Sequence, residues 1–402
     1  MKFDFAVPGR ILFGAGRVSA LGEVARELLY RRGMQDGYGP QPLEGATAFV
    51  VTGSSPERVS AAFASLERAG FGIERYTIRG EPSFDEARDA TACAKRAEAS
   101  IVVGIGGGSA LDLAKVVAAL LTNPGDPLDY VEGIGAGKPL TRDSAPYIAV
   151  PTTSGTGSEA TKNAVLVSKE HQIKISIRSP IMLPAAAIVD PELSYSLPPG
   201  ITVQSGMDAL TQLMESFVCV HASPFTDGIC RDAIPRAVQA LPRVFEDGHD
   251  TAAREDMAFV GLASGIALSN AGLGAVHGIA GPLGGAFPVP HGSACAALLA
   301  PVTALNIRVL RERDPAHPAL MRYAELAELL GAPHGSAPEE VVRRVNQLTS
   351  RLGLRGLASF GVLRGSFPDL AVKAAASNAM KGNPVILTHE DICSALEAAM
   401  IE

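Results

Sequence analysis

Between residues 47 and 193, short apolar runs alternate with stretches of helical spacing, and this alternation restricts the possible folds more than any other feature. TAFVVTG (47–53) is apolar and β-branched and ends in a turn. PERVSAAFASLERAGF follows with helical spacing, then GIERYTIRG as a second strand, a helix over 85–99, and SIVVGIGGGS as a third strand. YIAVPTT (147–153) and AAAIVDPEL (185–193) read as two more strands. Strands separated by helix-length connections pack as a parallel sheet with helices on both faces, because a parallel neighbour needs a long crossover. After Leu197-Pro198-Pro199-Gly200 strand-like runs nearly vanish, and Ala/Leu-rich helical segments continue to the end. The breaker sets the expected boundary: an α/β domain over 1–199 and an all-helical domain over 200–402.

Composition supports two packed cores rather than a polyanion-binding or membrane protein. The chain is 402 residues long and 47% hydrophobic, with a net charge of −7, which disfavours nucleic acid as a partner. Five cysteines (Cys93, Cys219, Cys230, Cys295, Cys393) are scattered without a C-x-x-C. That usage suits a reducing cytoplasm and argues against a disulfide framework or a thiolate zinc site. The N-terminus lacks a charged region followed by an apolar core, so no signal peptide is expected. Residues 258–276 carry no charge, but they are rich in Gly, Ala, Ser and Asn, which suits one close-packed buried helix rather than a membrane span. The Gly/Pro-rich segment 30–45 reads as a surface insertion.

Two loops carry chemistry. In VVGIGGGSALDLAK (102–115) a strand ends in Gly106-Gly107-Gly108, and Ser109 precedes a helix with Asp112 and Lys115 in its first turns. Glycines allow close backbone approach, and the helix N-terminus offers unpaired N–H groups to a phosphate. PTTSGTGSEAT (151–161) places six hydroxyl side chains and two glycines after another strand. Burial does not call for that density; hydrogen bonding to a polyoxygenated ligand does. Two such loops at strand carboxyl ends point to a dinucleotide.

GGGSALDLAK, PTTSGTGSEAT, KISIRSPIMLPAAAIVDPEL and HGIAGPLGGAFPVPHG together resemble the iron-containing (group III) alcohol dehydrogenases, over nearly the whole chain. The resemblance implies a Rossmann-like N-terminal domain, a helical C-terminal domain and NAD(P)(H) in the cleft between them. It further implies a small alcohol or carbonyl substrate and a homodimer, with a strand in residues 1–15 available for pairing. By motif, Gly106, Gly107, Gly108, Ser109 and Asp112 fall to the cofactor's pyrophosphate side. Thr152, Thr153, Thr156 and Ser158 fall to its nicotinamide and ribose side, and Lys174 is a further cofactor contact. Many NAD-preferring relatives have an Asp after the first strand. Here Gly53, Ser54 and Ser55 stand there with Arg58 nearby, which favours NADP(H) over NAD(H).

The resemblance also implies a divalent ion, Fe²⁺ or Zn²⁺, on one Asp and three His, acting as a Lewis acid. The matching positions are Asp208, Gln212, His277 and His291, so a glutamine stands where a histidine normally ligates. Asp208 and Gln212 are one helical turn apart, His277 ends the uncharged helix, and His291 opens another. Gly281 replaces a second histidine linked to proton relay. Three readings stay open. Asp208, His277 and His291 bind the ion with Gln212 as a weak oxygen ligand; or no ion is used, and His277, His291 or Lys162 gives the proton to an activated keto acid, as in maleylacetate reductases; or the histidines are structural in an inactive dinucleotide-binding relative. A dehydroquinate-synthase-like lyase shares the fold, but the helical half lacks that family's run of basic residues.

Overall fold

A computed structural model describes residues 2–35, 45–55, 59–171 and 173–400. Arg58 and most of the expected insertion at 30–45 lie outside them. The chain divides into two compact units: Ala6–Thr153 with Gly157–Ser196, and Leu197–Glu402 with Met1–Phe5 and Ser154–Thr156.

The first unit is built on a six-stranded sheet: β1 (Ile11–Phe13), β2 (Thr47–Thr52), β3 (Gly72–Thr77), β4 (Ala99–Gly106), β5 (Tyr147–Pro151) and, after a separate hairpin, β8 (Ala186–Val189). Its order is β1-β8-β5-β4-β2-β3, and every pairing is parallel. Helices α1 (Leu21–Gln35), α2 (Ser60–Arg68), α3 (Phe84–Arg96) and α4 (Gly108–Thr122) supply the crossovers. The period-2 pleat explains why the central strands are apolar throughout. Ala48, Val50, Ile101, Val103, Ile105 and Ile148 face one core with α1 and α2, whereas Phe49, Val51, Val102, Tyr147 and Ala149 face the other with α3 and α4. The strand expected in residues 1–15 is therefore a three-residue sheet edge. Lys174 lies outside this sheet, on β7 (Ile173–Arg178), which pairs antiparallel with β6 (Asn163–Ser168).

The second unit is helical: α5 (Pro199–Val218), α6 (Pro224–Glu246), α7 (Thr251–Ala271), α8 (Ala275–Ala286), α9 (His291–Arg313), α10 (Pro318–Leu329), α11 (Glu340–Arg351), α12 (Phe367–Ala375) and α13 (His389–Ala398). All but two residues of α5 from Thr202 onward are buried, and Met207, Leu210, Leu213, Met214 and Phe217 lie in the core. Among the described residues α9 is the one single helix long and apolar enough to cross a membrane, and 78% of its apolar window is buried within the fold.

One expectation fails here. The uncharged run 258–276 is not a single helix, and His277 does not end it. The chain turns by 104° between α7 and α8, so His277 sits in the first turn of α8. Gly272 takes φ +98°, a left-handed value that glycine tolerates and that ends α7. Gly274 follows with no room for a side chain, since a Cβ there would lie 2.9 Å from the Glu215 carboxylate. Absence of charge reported burial correctly but carried no information about the bend.

Candidate active site

In the first unit, the glycine and hydroxyl loops meet at the carboxyl ends of β2, β4 and β5. Gly106 pairs with Pro151, and its carbonyl accepts the Thr152 amide at 2.9 Å. A Cβ on Gly106 would lie 2.7 Å from Ala110 Cβ and 3.4 Å from the Gly53 amide; one on Gly107 would lie 3.3 Å from Thr153. Glycine is needed because strand, loop and helix approach this closely. Gly107 caps α4 in an extended conformation without any side-chain hydrogen bond, so the amides of Gly108 and Ser109 stay available for an anion. Gly53, Gly106, Gly107, Gly108, Ser109, Thr152 and Thr153 thus share one region; Ser54 beside them is exposed. Thr156 groups with the helical unit.

Asp112 and Ser158 are engaged within the protein. Asp112 accepts from Ser158 Oγ at 2.5 Å and from the Val165 amide at 2.9 Å. Lys115 is fully buried and donates to the Ser158 carbonyl and hydroxyl, Thr161 Oγ1 and the Asn163 carbonyl, at 2.7–3.1 Å. Burial lowers its ammonium to about 8 against the pull of Asp112 and Glu159, while burial raises the neighbouring Glu159 carboxyl to about 7. This network holds the hydroxyl loop to α4. Lys174 pairs with Glu81 at 2.6 Å, and Lys162 is half-buried at the start of β6.

In the helical unit, α5, α8 and α9 bring four donor atoms together. Asp208 Oδ1 lies 3.3 Å from His277 Nε2, 3.5 Å from His291 Nε2 and 3.7 Å from Cys295 Sγ. Cys295 Sγ lies 3.8 Å from His277 Nε2 and 3.7 Å from His291 Nε2. All four donors fall within 4.8 Å of one another. Behind His277, Glu215 accepts Nδ1–H at 2.6 Å on one carboxylate oxygen, and the Val276 amide at 2.6 Å on the other. A carboxylate can only accept, so Nδ1 carries a proton and Nε2 is the atom that faces Asp208. Asp208, His277 and Glu215 are almost wholly buried, whereas the His291 side chain is 38% exposed, making it the member that solutes can reach.

Electrostatics bind the four into one cluster. Burial would raise Asp208 and Cys295, but the imidazoles pull both below their ordinary values. Cys295 raises His291 to about 9; burial lowers His277, yet Cys295, Glu215 and Asp208 carry it well above the usual imidazole range. Two acids and two bases facing one buried point form a donor set that releases protons to a cation. The residues fit a divalent metal ion.

Gln212, expected as a weak ligand, has its Oε1 accepting Ser264 Oγ–H at 2.7 Å, and Ser264 also contacts the Gly155 and Gly261 carbonyls. Gly281 faces open space, with nothing within 4 Å of a Cβ. Sequence reasoning missed Cys295 and Glu215. Both left a local signal: Cys295 stands one turn after His291, and Glu215 is the lone second acid of the apolar stretch MDALTQLMESF.

Comparison with known proteins follows the same division. The family model "iron-containing alcohol dehydrogenase" matches residues 8–191, and "Fe-containing alcohol dehydrogenase family, C-terminal" matches 202–400. Alcohol dehydrogenase 4 of Schizosaccharomyces pombe is 34% identical over 84% of this chain and 78% of its own. The 1,3-propanediol dehydrogenase of Klebsiella pneumoniae is 32% identical over 95% and 96%. The solved structure of an alcohol dehydrogenase from Oenococcus oeni, 30% identical, superposes with a TM-score of 0.87, covering 99% of this chain and 100% of that one.

Proposed function

This chain belongs to the iron-containing alcohol dehydrogenases and is an alcohol/aldehyde oxidoreductase, and on that premise we propose that it works mainly as an NADP(H)-dependent reductase of a small aldehyde or ketone, with a divalent ion held by Asp208, His277 and His291. The observation that carries this reading is the convergence of Asp208 Oδ1 with two imidazole Nε2 atoms, backed by the Glu215 carboxylate. When bound, Fe²⁺ or Zn²⁺ supplies Lewis acidity toward an alcohol or carbonyl oxygen, and the dinucleotide supplies the hydride.

The chain's own residues divide the remaining work. Gly106, Gly107 and Gly108 let the pyrophosphate approach the open amides of α4, with Ser109 beside them. Thr152, Thr153 and Thr156 offer hydroxyls to the ribose and nicotinamide. Asp112 and Ser158, held by Lys115, shape that loop rather than reach out of it. Gly53 brings no carboxylate to repel a 2′-phosphate, and the exposed Ser54 can donate to one. Glu215 holds His277 Nδ1 and so keeps Nε2 aimed at Asp208. Lys162 has a charge suited to an anionic substituent on the carbonyl substrate. Gly281 and a neutral Gln212 in place of two imidazoles leave less positive charge there, which disfavours a polyanionic reacting end. We assign the enzyme to the cytoplasm as a homodimer, which sedimentation tests.

The test loads protein purified without chelators with Fe²⁺ or Zn²⁺ and follows NADPH and NADH consumption with small aldehydes, ketones and 2-oxo acids. Stoichiometric NADPH oxidation, lost on stripping the metal and in Asp208→Asn, is the expected result. Undiminished reduction of a keto acid by stripped protein would replace this reading with the metal-independent one. Dinucleotide binding without turnover across the panel would leave an altered, non-catalytic relative.

A further inference from the structure

We propose that Cys295 is a metal ligand: its thiolate takes the place of the imidazole missing at position 212 and makes this a zinc-type O,N,N,S centre rather than an iron-type one. The inference rests on the reading that Asp208, His277 and His291 hold an ion.

Three observations carry it. The first is spacing. A tetrahedral ion with bonds of about 2.0–2.1 Å to N and O and about 2.3 Å to S requires N···O edges near 3.3 Å and edges from S near 3.6 Å. The N···O separations here are 3.3 and 3.5 Å, and the three from Cys295 Sγ are 3.7, 3.8 and 3.7 Å. Five edges therefore agree to within about 0.2 Å, and the sixth, between the two imidazole Nε2 atoms, lies within 4.8 Å.

The second is the character of the contacts. Read as hydrogen bonds, all three Cys295 contacts are long, and in those with His277 and His291 either atom can be the donor. A thiolate facing a cation among the same three groups accounts for all three at once. Cys295 is 0% exposed within the apolar core of the helical unit, with its sulfur turned toward three polar groups.

The third is the fate of position 212. Gln212 Oε1 is hydrogen-bonded by Ser264, whose hydroxyl also contacts the backbone of the hydroxyl-rich loop at Gly155. The fourth donor comes instead from α9, where His291 and Cys295 are an i,i+4 pair on one face. Four protein donors are retained, but a neutral nitrogen becomes an anionic, softer sulfur. That exchange lowers the net charge at the centre by one and favours Zn²⁺ or Co²⁺ over Mn²⁺ or Fe²⁺.

Metal-stripped protein is titrated with Co²⁺, comparing the parent with Cys295→Ser and Cys219→Ser. The expected result is one ion per chain with a near-ultraviolet sulfur-to-cobalt charge-transfer band, present in the parent and in Cys219→Ser and absent in Cys295→Ser. Zinc affinity of Cys295→Ser should fall by at least about 100-fold, beyond the roughly 10–100-fold that losing an outer partner costs. Unchanged dinucleotide binding by Cys295→Ser shows that it folds. Should Cys295→Ser fail to fold, the presence or absence of the band in the parent, with one cobalt bound, decides the question. Cobalt bound without a band, or a band that survives in Cys295→Ser, overturns the thiolate ligand and leaves the three-ligand reading standing. No ion retained by the parent overturns both.

Discussion

Replacing Glu215 with glutamine should cripple metal binding through a single proton. The two carboxylate oxygens of Glu215 each accept a bond at 2.6 Å, one from the Val276 amide and one from His277 Nδ1. Glutamine has the same shape but only one oxygen. If that oxygen takes the Val276 N–H, the amide nitrogen faces Nδ1 and forces the imidazole proton onto Nε2, where it blocks the atom that faces Asp208. If the oxygen keeps Nδ1–H, the amide nitrogen meets the Val276 N–H, leaving a buried donor unpaired at a cost of about 1–3 kcal/mol. Neither rotamer preserves both functions, because the side chain is only 7% exposed and no solvent can make up the deficit. Loss of a histidine's outer carboxylate costs about 10–100-fold in metal affinity. The conflict here puts Glu215→Gln at the upper end, about 2.7 kcal/mol at 1.36 kcal/mol per tenfold. Chelator competition for Zn²⁺ measures it, and nitrogen NMR of His277 reports the tautomer. An affinity within threefold of the parent, with Nδ1 still protonated, would refute the reasoning.

Three further outcomes are expected. Glu159 has its carboxyl raised from an ordinary 4.5 to about 7, so the folded state holds a proton there that the unfolded chain has lost. Its contribution to stability is full below about pH 4.5 and disappears as the pH rises through 7, a loss on the order of 3 kcal/mol from the difference between those two values. Urea unfolding of Glu159→Gln across this range should be flatter than the parent's, and parallel curves would refute the assignment. Lys115→Met leaves Ser158, Thr161 and Asn163 without their shared donor and Asp112 without its cation, so we expect about 3–5 kcal/mol of destabilisation and weaker dinucleotide binding. Unchanged urea midpoints would show that the loop does not depend on it. Gly53→Asp meets no atom within 4 Å and places a carboxylate after β2. Like charges near a surface repel by on the order of 1–4 kcal/mol, so the NADPH-to-NADH preference in kcat/KM should fall at least about fivefold; no change would remove Gly53 from the specificity argument.

The sheet was legible because its signals are local. Five strand-like runs with helix-length spacers became five of the six parallel strands, and GIGGGSA became the turn and helix start it resembles. The hairpin holding Lys174 was harder to foresee, since β6 alternates between half-exposed and buried residues but β7, which carries Lys174, does not. In the helical unit, Asp208, His277 and His291 were identifiable from spaced motifs. The bend before His277 was not, because it depends on a glycine conformation and on Glu215 occupying the space beside Gly274.

By itself, then, the sequence determined the two-part architecture, the glycine and hydroxyl loops and three members of the donor cluster, because periodicity and motif spacing act over a few residues along the chain. Only the tertiary structure decided what Gln212, Glu215 and Cys295 do. Their partners lie 52, 62 and 87 residues away in sequence, and no local pattern encodes which of several buried polar side chains will meet. That choice is made where α5, α8 and α9 pack, since each donor must find a partner in space once water is excluded.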